Sequence, residues 1–202
     1  MPNIGHNESD GERLPDREPL WAHVSGWSQL SGSMRTVSCV IPSHNDGNKL
    51  AKLLPRLSDS LTESGFPWEI IVIDAGSEDG TDRLLSGWGE LPGFWSVTVA
   101  PHLGKSAHLV IGLEAARGDA VVLLNPQPRF PPSLLQQMIW RWEQGAQVVY
   151  AIDDGSPRTG ELKSWDAFTV DQLIASHEPM NMPHGSTEFA LFDRRVVDYL
   201  LR

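Results

Sequence analysis

"EIIVIDAGSEDGTDRLL", residues 69–85, decides the fold. The β-branched run Ile70 to Ile73 stands between two acids and has the length of a strand. Gly76 then permits a tight turn, and Asp79 and Thr81 can satisfy free amides where Leu84 and Leu85 open a helix. The same change, from a short apolar run to apolar residues spaced by three and four, recurs along the chain. The strands read as "TVSCVI" (36–41), "EIIVID" (69–74), "WSVTVA" (95–100), "AVVLL" (120–124) and "QVVYAI" (147–152). Nearly all of their residues are apolar, as expected of parallel strands covered on both faces. Strands alternating with helices specify the α/β class.

In the first helix Leu50, Leu53, Leu54, Leu57 and Leu61 line one face, and Pro55 is expected to kink it by withholding a backbone donor. The second helix begins at "GTDRLL" (80–85), the third is "KSAHLVIGLEAA" (105–116), and the fourth, "SLLQQMIWRWEQ" (133–144), stops at Gly145. Trp140 and Trp142 point to different faces of that fourth helix, so one is expected on the sheet and the other on a contact surface. Beyond Ile152 the rhythm is lost. Residues 153–166 read as a loop, "AFTVDQLIA" (167–175) as a short helix, "MNMPHGST" (180–187) as a second loop, "EFALF" (188–192) as a strand and "DRRVVDYLL" (193–201) as a final helix.

The 202 residues fit one domain, assigned to 34–202. Residues 1–33 are expected to form a disordered or loosely docked arm, because the first 20 carry hardly any large apolar side chains. Met1 and Met34 are both candidate starts. The single cysteine, Cys39, excludes a disulfide framework and reads as a core residue. A formal charge of −10 opposes binding to nucleic acid or to an anionic bilayer by charge alone. No apolar run approaches the roughly 18 residues of a membrane-spanning helix, so the expectation is a soluble, cytoplasmic protein.

Ligands of open α/β sheets bind beyond the carboxyl ends of the strands, and this singles out "PSHND" (42–46), "DAGSEDGT" (74–81), "PHLGKS" (101–106) and "NPQPRFPP" (125–132). "GKS" is not a P-loop, since Val99 stands where that motif requires glycine. Lys105 and the amides around it could still face a diphosphate; the alternative is a solvated lysine. His102 and His108 lack metal-ligand spacing and read as solvated or hydrogen-bonded histidines.

Taken in order and spacing, "VSCVIPSHND", "IIVIDAGSEDGTDRLL", "GKSAHLVIGLEAARGDAVVLL" and "FPPSLLQQMIWRWEQGAQVVYAI" resemble the family 2 glycosyltransferases. The resemblance implies the GT-A fold, a Rossmann-like, mostly parallel sheet flanked by helices. The tail "NMPHGSTEFALFDRRVVDYL" resembles the branch of the dolichol-phosphate mannosyltransferases, which use polyprenyl-phosphate acceptors. What the resemblance implies for function is transfer of a sugar from a nucleoside diphosphate sugar to an acceptor such as a polyprenyl phosphate, with peripheral membrane association. It implies nucleoside contacts from Pro42, Ser43, His44, Asn45, Asp46, Asp74 and Ser77, and retention of the family lysine at Lys105. It implies Glu188 as the acid nearest the acceptor, and Arg194 or Arg195 as phosphate contacts.

The departures cluster at the donor site. The second acid of the common Asp-Asp-Gly-Ser pattern is Ala75, and the usual asparagine before the lysine turn is His102. The Asp-x-Asp pair that would hold Mg²⁺ or Mn²⁺ is Asn125 and Gln127. A carboxamide oxygen can coordinate a hard cation but brings no charge. One unit charge on another at 4 Å is worth about 4 kcal/mol at an effective dielectric near 20, so a weak, substrate-dependent metal site is expected. Two functions follow as alternatives: an inverting transferase, or a degenerate domain acting as a nucleotide-binding or partner subunit.

Overall fold

Strands that are apolar on both faces need cover on both, and β1 (Val37–Ser43), β2 (Trp68–Asp74) and β4 (Ala120–Leu124) have it. The computed structural model, which describes residues 35–100, 104–126, 132–152, 164–168 and 189–202, places these three side by side and parallel. β3 (Phe94–Thr98) extends the sheet beyond β2, and β7 (Phe189–Asp193) pairs antiparallel with β4. β5 (Val148–Ile152) and β6 (Ser164–Phe168) complete a seven-stranded order of β3-β2-β1-β4-β7-β5-β6. Five strands therefore share one direction while β7 and β6 oppose them, so the sheet is mixed but mostly parallel.

One face is covered by α1 (Gly47–Glu63), α2 (Thr81–Trp88) and α4 (Pro132–Glu143), which pack their leucines, Met138 and Trp142 against Val37, Cys39 and Ile41. The other face carries α3 (Gly104–Ala115) and α5 (Arg194–Leu200) over Val40, Ile71, Ile73, Val121 and Leu123. Alternation along β1 thus sends successive side chains to opposite layers. Cys39 lies in the core as expected, fully buried, and burial pushes its thiol pKa far up. Of the two tryptophans on α4, Trp142 is buried and Trp140 is 58% exposed.

Three expectations need correction. β3 is not covered on both faces: it is the sheet's edge strand, and Ser96, Val97 and Thr98 are exposed. β5 keeps the common direction but pairs with antiparallel neighbours on both sides, because β7 is inserted between β4 and β5. β6 occupies 164–168, across the boundary read as a loop followed by a helix. Pro55 sits inside α1, which continues as one helix to Glu63.

Candidate functional site

The loops leaving β1 and β2 interlock at the carboxyl end of the sheet. Register aligns Ser43 with Asp74, and Ala75 N donates to Ser43 O at 2.8 Å, so the two strands end together. Asp74, 3% exposed, then turns the chain: Oδ2 accepts from Ser77 N at 3.0 Å and Oδ1 from Ser77 Oγ at 2.5 Å. These bonds use two of the roughly four acceptor positions of a carboxylate. Asn45 N donates to Ser77 Oγ at 2.8 Å, and Asn45 Oδ1 accepts from Glu78 N at 2.8 Å.

Asn45 holds this position with φ of 53°, a left-handed conformation that asparagine tolerates better than most residues. Its Nδ2 lies 3.2 Å from His44 Nε2, while His44 Nδ1 lies 3.0 Å from Ala75 O. A carbonyl only accepts and an amide nitrogen only donates, so these partners place the imidazole proton on Nδ1. Asp79 joins the helix starts: it accepts from Thr81 N and Oγ1 at the head of α2 and from Gly47 N at the head of α1. The Thr81 hydroxyl bond, helped by the Gly47 and Thr81 amides and opposed by desolvation, holds the Asp79 carboxyl below the usual carboxylate range. Asp46 accepts from Lys49 Nζ and from His44 N. Ser43, His44, Asn45, Asp46, Asp74 and Ser77 are thereby brought together, with Pro42 one residue back on β1.

The other expected residues are dispersed. Lys105 lies in the first turn of α3, and Asn125, half-buried, directly follows β4. Gln127, His102 and Glu188 lie outside the described residues. Arg194 and Arg195 are a correction: register pairs Asp193 with Ala120, which sets both arginines at the amino end of β4, away from the crevice. Arg194 donates to Gly118 O and Ala116 O at 2.6–2.8 Å, and Arg195 pairs with Asp193 at 2.8 Å. His108 is also a correction. It is buried, and its Nε2 has no hydrogen-bond partner.

As a test for a hard cation, the described oxygen donors at this end are the neutral carboxamide of Asn125, the Glu78 carboxylate, and the carboxylates of Asp74, Asp46 and Asp79, which are already bonded to Ser77, to Lys49 and to the heads of α1 and α2. Among the described residues no three His, Cys, Asp or Glu side chains gather. The three aspartates are engaged in loop bonds, and among the described residues these donors do not gather into a preformed hard-cation site.

Comparison with known proteins places this geometry among relatives. The model of the family described as "Glycosyl transferase family 2" matches residues 38–201. An undecaprenyl-phosphate 4-deoxy-4-formamido-L-arabinose transferase of Pseudomonas aeruginosa is 35% identical over 167 residues, covering 82% of this chain and 49% of that protein. The chain thus spans about half the length of the curated relatives it matches. Among solved structures, glucosyl-3-phosphoglycerate synthase from Mycobacterium tuberculosis, in complex with Mn²⁺, UDP and phosphoglyceric acid, aligns with a TM-score of 0.56 at 22% identity, covering 80% of this chain and 57% of that one. A mannosyltransferase from Pyrobaculum calidifontis, in complex with GDP-Man and Mn²⁺, aligns with a TM-score of 0.55 at 21% identity, covering 81% and 46%. At those identities the likeness speaks for the fold.

Proposed function

The chain belongs to glycosyl transferase family 2, and on that premise we propose that it transfers a sugar from a nucleoside diphosphate sugar to a polyprenyl-phosphate acceptor. The observation that carries the reading is the interlocked pair of loops: Asp74, Ser77 and Asn45 form one hydrogen-bonded chain at the carboxyl ends of β1 and β2, where an open α/β sheet binds its ligand. Preformed loops of this kind lower the ordering cost of binding. Asp74 has acceptor capacity to spare for a ribose hydroxyl or a base N–H.

In the proposed reaction an acceptor oxygen attacks the anomeric carbon in line, the bond from that carbon to the diphosphate oxygen breaks, and the configuration inverts. Charge develops on the departing diphosphate and must be met by fixed donors. Lys105 and the first amides of α3 are assigned that role, and Glu188 the role of the acid beside the acceptor. Mg²⁺ or Mn²⁺ is proposed to bind only together with the diphosphate, whose charge supplies what Asn125 and Gln127 lack. No helix among the described residues is long and apolar enough to cross a membrane.

The test is transfer of radiolabelled sugar from a panel of nucleoside diphosphate sugars into organic-extractable undecaprenyl phosphate. Label in the organic phase that depends on both substrates supports the proposal. Nucleotide binding without transfer to any acceptor would favour the partner-subunit alternative instead.

A further inference from the structure

Among the described residues, two buried side-chain polar atoms have no hydrogen-bond partner, Ser43 Oγ and His108 Nε2. Ser43 closes β1 at the crevice. The path of α3 shows that His108 belongs to the same end. The helix comes closest to the sheet at Gly112, where an added Cβ would lie 2.3 Å from Val40 Cγ1 and 3.3 Å from Ile73 Cγ1. Just after the helix, Asp119 N donates to Thr36 O ahead of β1, so α3 runs from the carboxyl end of the sheet toward its amino end. His108 precedes Gly112 by about one turn, or 5.4 Å, on the same stripe of the helix. By alternation, moving that far back from Val40 and Ile73 leads toward Pro42 on β1 and toward Ala75, the residue just after β2, whose amide bonds Ser43 O.

The residues at the ends of these strand lines are consistent with an Nε2 that has no partner. Pro42 and Ala75 carry no side-chain hydrogen-bonding group. Ala75 O is taken by His44, and the Asp74 carboxylate is turned into the Ser77 bend. A buried polar atom left in this way calls for a function, since apart from Ser43 Oγ the described interior satisfies its polar side chains. We propose that His108 reads the nucleobase of the donor, from beneath the position at which the resemblance puts an acid and this chain has Ala75. A carboxylate at 75 would only accept hydrogen bonds. An imidazole nitrogen can accept from a ring N–H or donate to a ring carbonyl, according to its tautomer, and so selects a different base edge. The inference rests on the proposed function, because it presupposes that the crevice holds a nucleotide.

The experiment is calorimetry of UDP, GDP, CDP and ADP, with inorganic pyrophosphate as the control, on the wild type, His108→Leu and His108→Gln. Leucine keeps the volume and removes the polar atom, and the melting temperature of each variant is measured alongside. The expected result is a tenfold or larger loss of affinity for the preferred nucleotide in His108→Leu, with the preference among bases narrowed and pyrophosphate binding unchanged. The melting temperature of His108→Leu should not fall, since it no longer buries an unpartnered nitrogen. His108→Gln should keep part of the preference, and it carries the test if the leucine variant does not fold. An unchanged order of bases in both variants, or an equal loss for every base and for pyrophosphate, would overturn the assignment and leave the proposed function standing. Failure of the wild type to bind any nucleotide would overturn both.

Discussion

The two ends of the same sheet are built on opposite terms. At the amino end, no buried side-chain polar atom of the described residues lacks a partner: Ser38 Oγ donates to Glu69 Oε1 and accepts from Gly118 N, Glu69 Oε1 accepts from Arg117 N, and Asp119 accepts from Thr36 N. Arg194 closes the end of α3 by donating to Ala116 O and Gly118 O, while Asp193 accepts from Trp142 and Arg195. At the carboxyl end the loops are equally well ordered, but Ser43 Oγ and His108 Nε2 are left open and Asp74 keeps unused acceptor capacity. The difference teaches that one end commits its polar groups to the fold, while the other leaves a few without partners, as the proposed nucleotide site requires.

Substitutions at the amino end should therefore damage the fold and spare binding. The largest effect is expected from Gly118→Ala, whose Cβ would meet Ser38 N and Oγ at 2.6 Å and Ala120 O at 3.0 Å. Two of these are backbone atoms that cannot swing aside, so a loss of about 3 kcal/mol, at the upper end for overpacking, should lower the urea midpoint. Next comes Arg194→Ala, which strips two carbonyls of a charged donor and should cost about 2 kcal/mol in the same measurement. In both variants nucleotide affinity of the folded protein should match the wild type; a tenfold loss in either would break the division between the ends.

The opposite pattern is expected of Asn45→Ala. Alanine in the left-handed region costs about 1 kcal/mol, and the acceptor for Glu78 N is lost, yet nucleotide affinity should fall by more than stability does. Asn45→Gly relaxes the backbone without restoring the side chain, so it separates the two contributions in paired calorimetry and urea titrations. The smallest effect concerns pH. Burial raises the Asp193 pKa, but hydrogen bonds from Arg195 and Trp142 outweigh it and leave the carboxyl below its ordinary value. A depressed folded value gives stability that is complete above the unfolded pKa of about 3.9 and is lost as pH falls through the folded one. Asp193→Asn should flatten the acid limb of the melting curve below about pH 4; an unchanged limb would assign the acid sensitivity elsewhere.

Much of this plan was legible in residue order. The runs at 69–74 and 120–124 had to be central strands, and Asp79 with Thr81 announced the start of α2. β3 misled because "WSVTVA" is mixed enough to serve as either an edge or a covered strand, and only the pairing of neighbours decides which. The direction of β7 could not be read, because an apolar pentapeptide has the same pattern in either sense. Within the site, the β1 and β2 loops declared themselves through turn chemistry, whereas Arg194 was misplaced because a cation two residues from a strand says nothing about which end it serves. His108 was missed for a different reason. α3 is apolar around most of its circumference, so periodicity gives no hint of the face that meets the sheet; Gly112 marks it, four residues on, only once Val40 is seen beneath.

Hydrogen exchange with and without a nucleoside diphosphate, read at individual amides, puts the contrast between the ends to its most direct test. The prediction is slower exchange at residues 43–46 and 74–81 on binding, with no change at 117–119 and 193–195. Protection that appears at 117–119 and 193–195 while the two loops stay as they were would contradict the account, because it would put the ligand at the end whose polar groups are already satisfied.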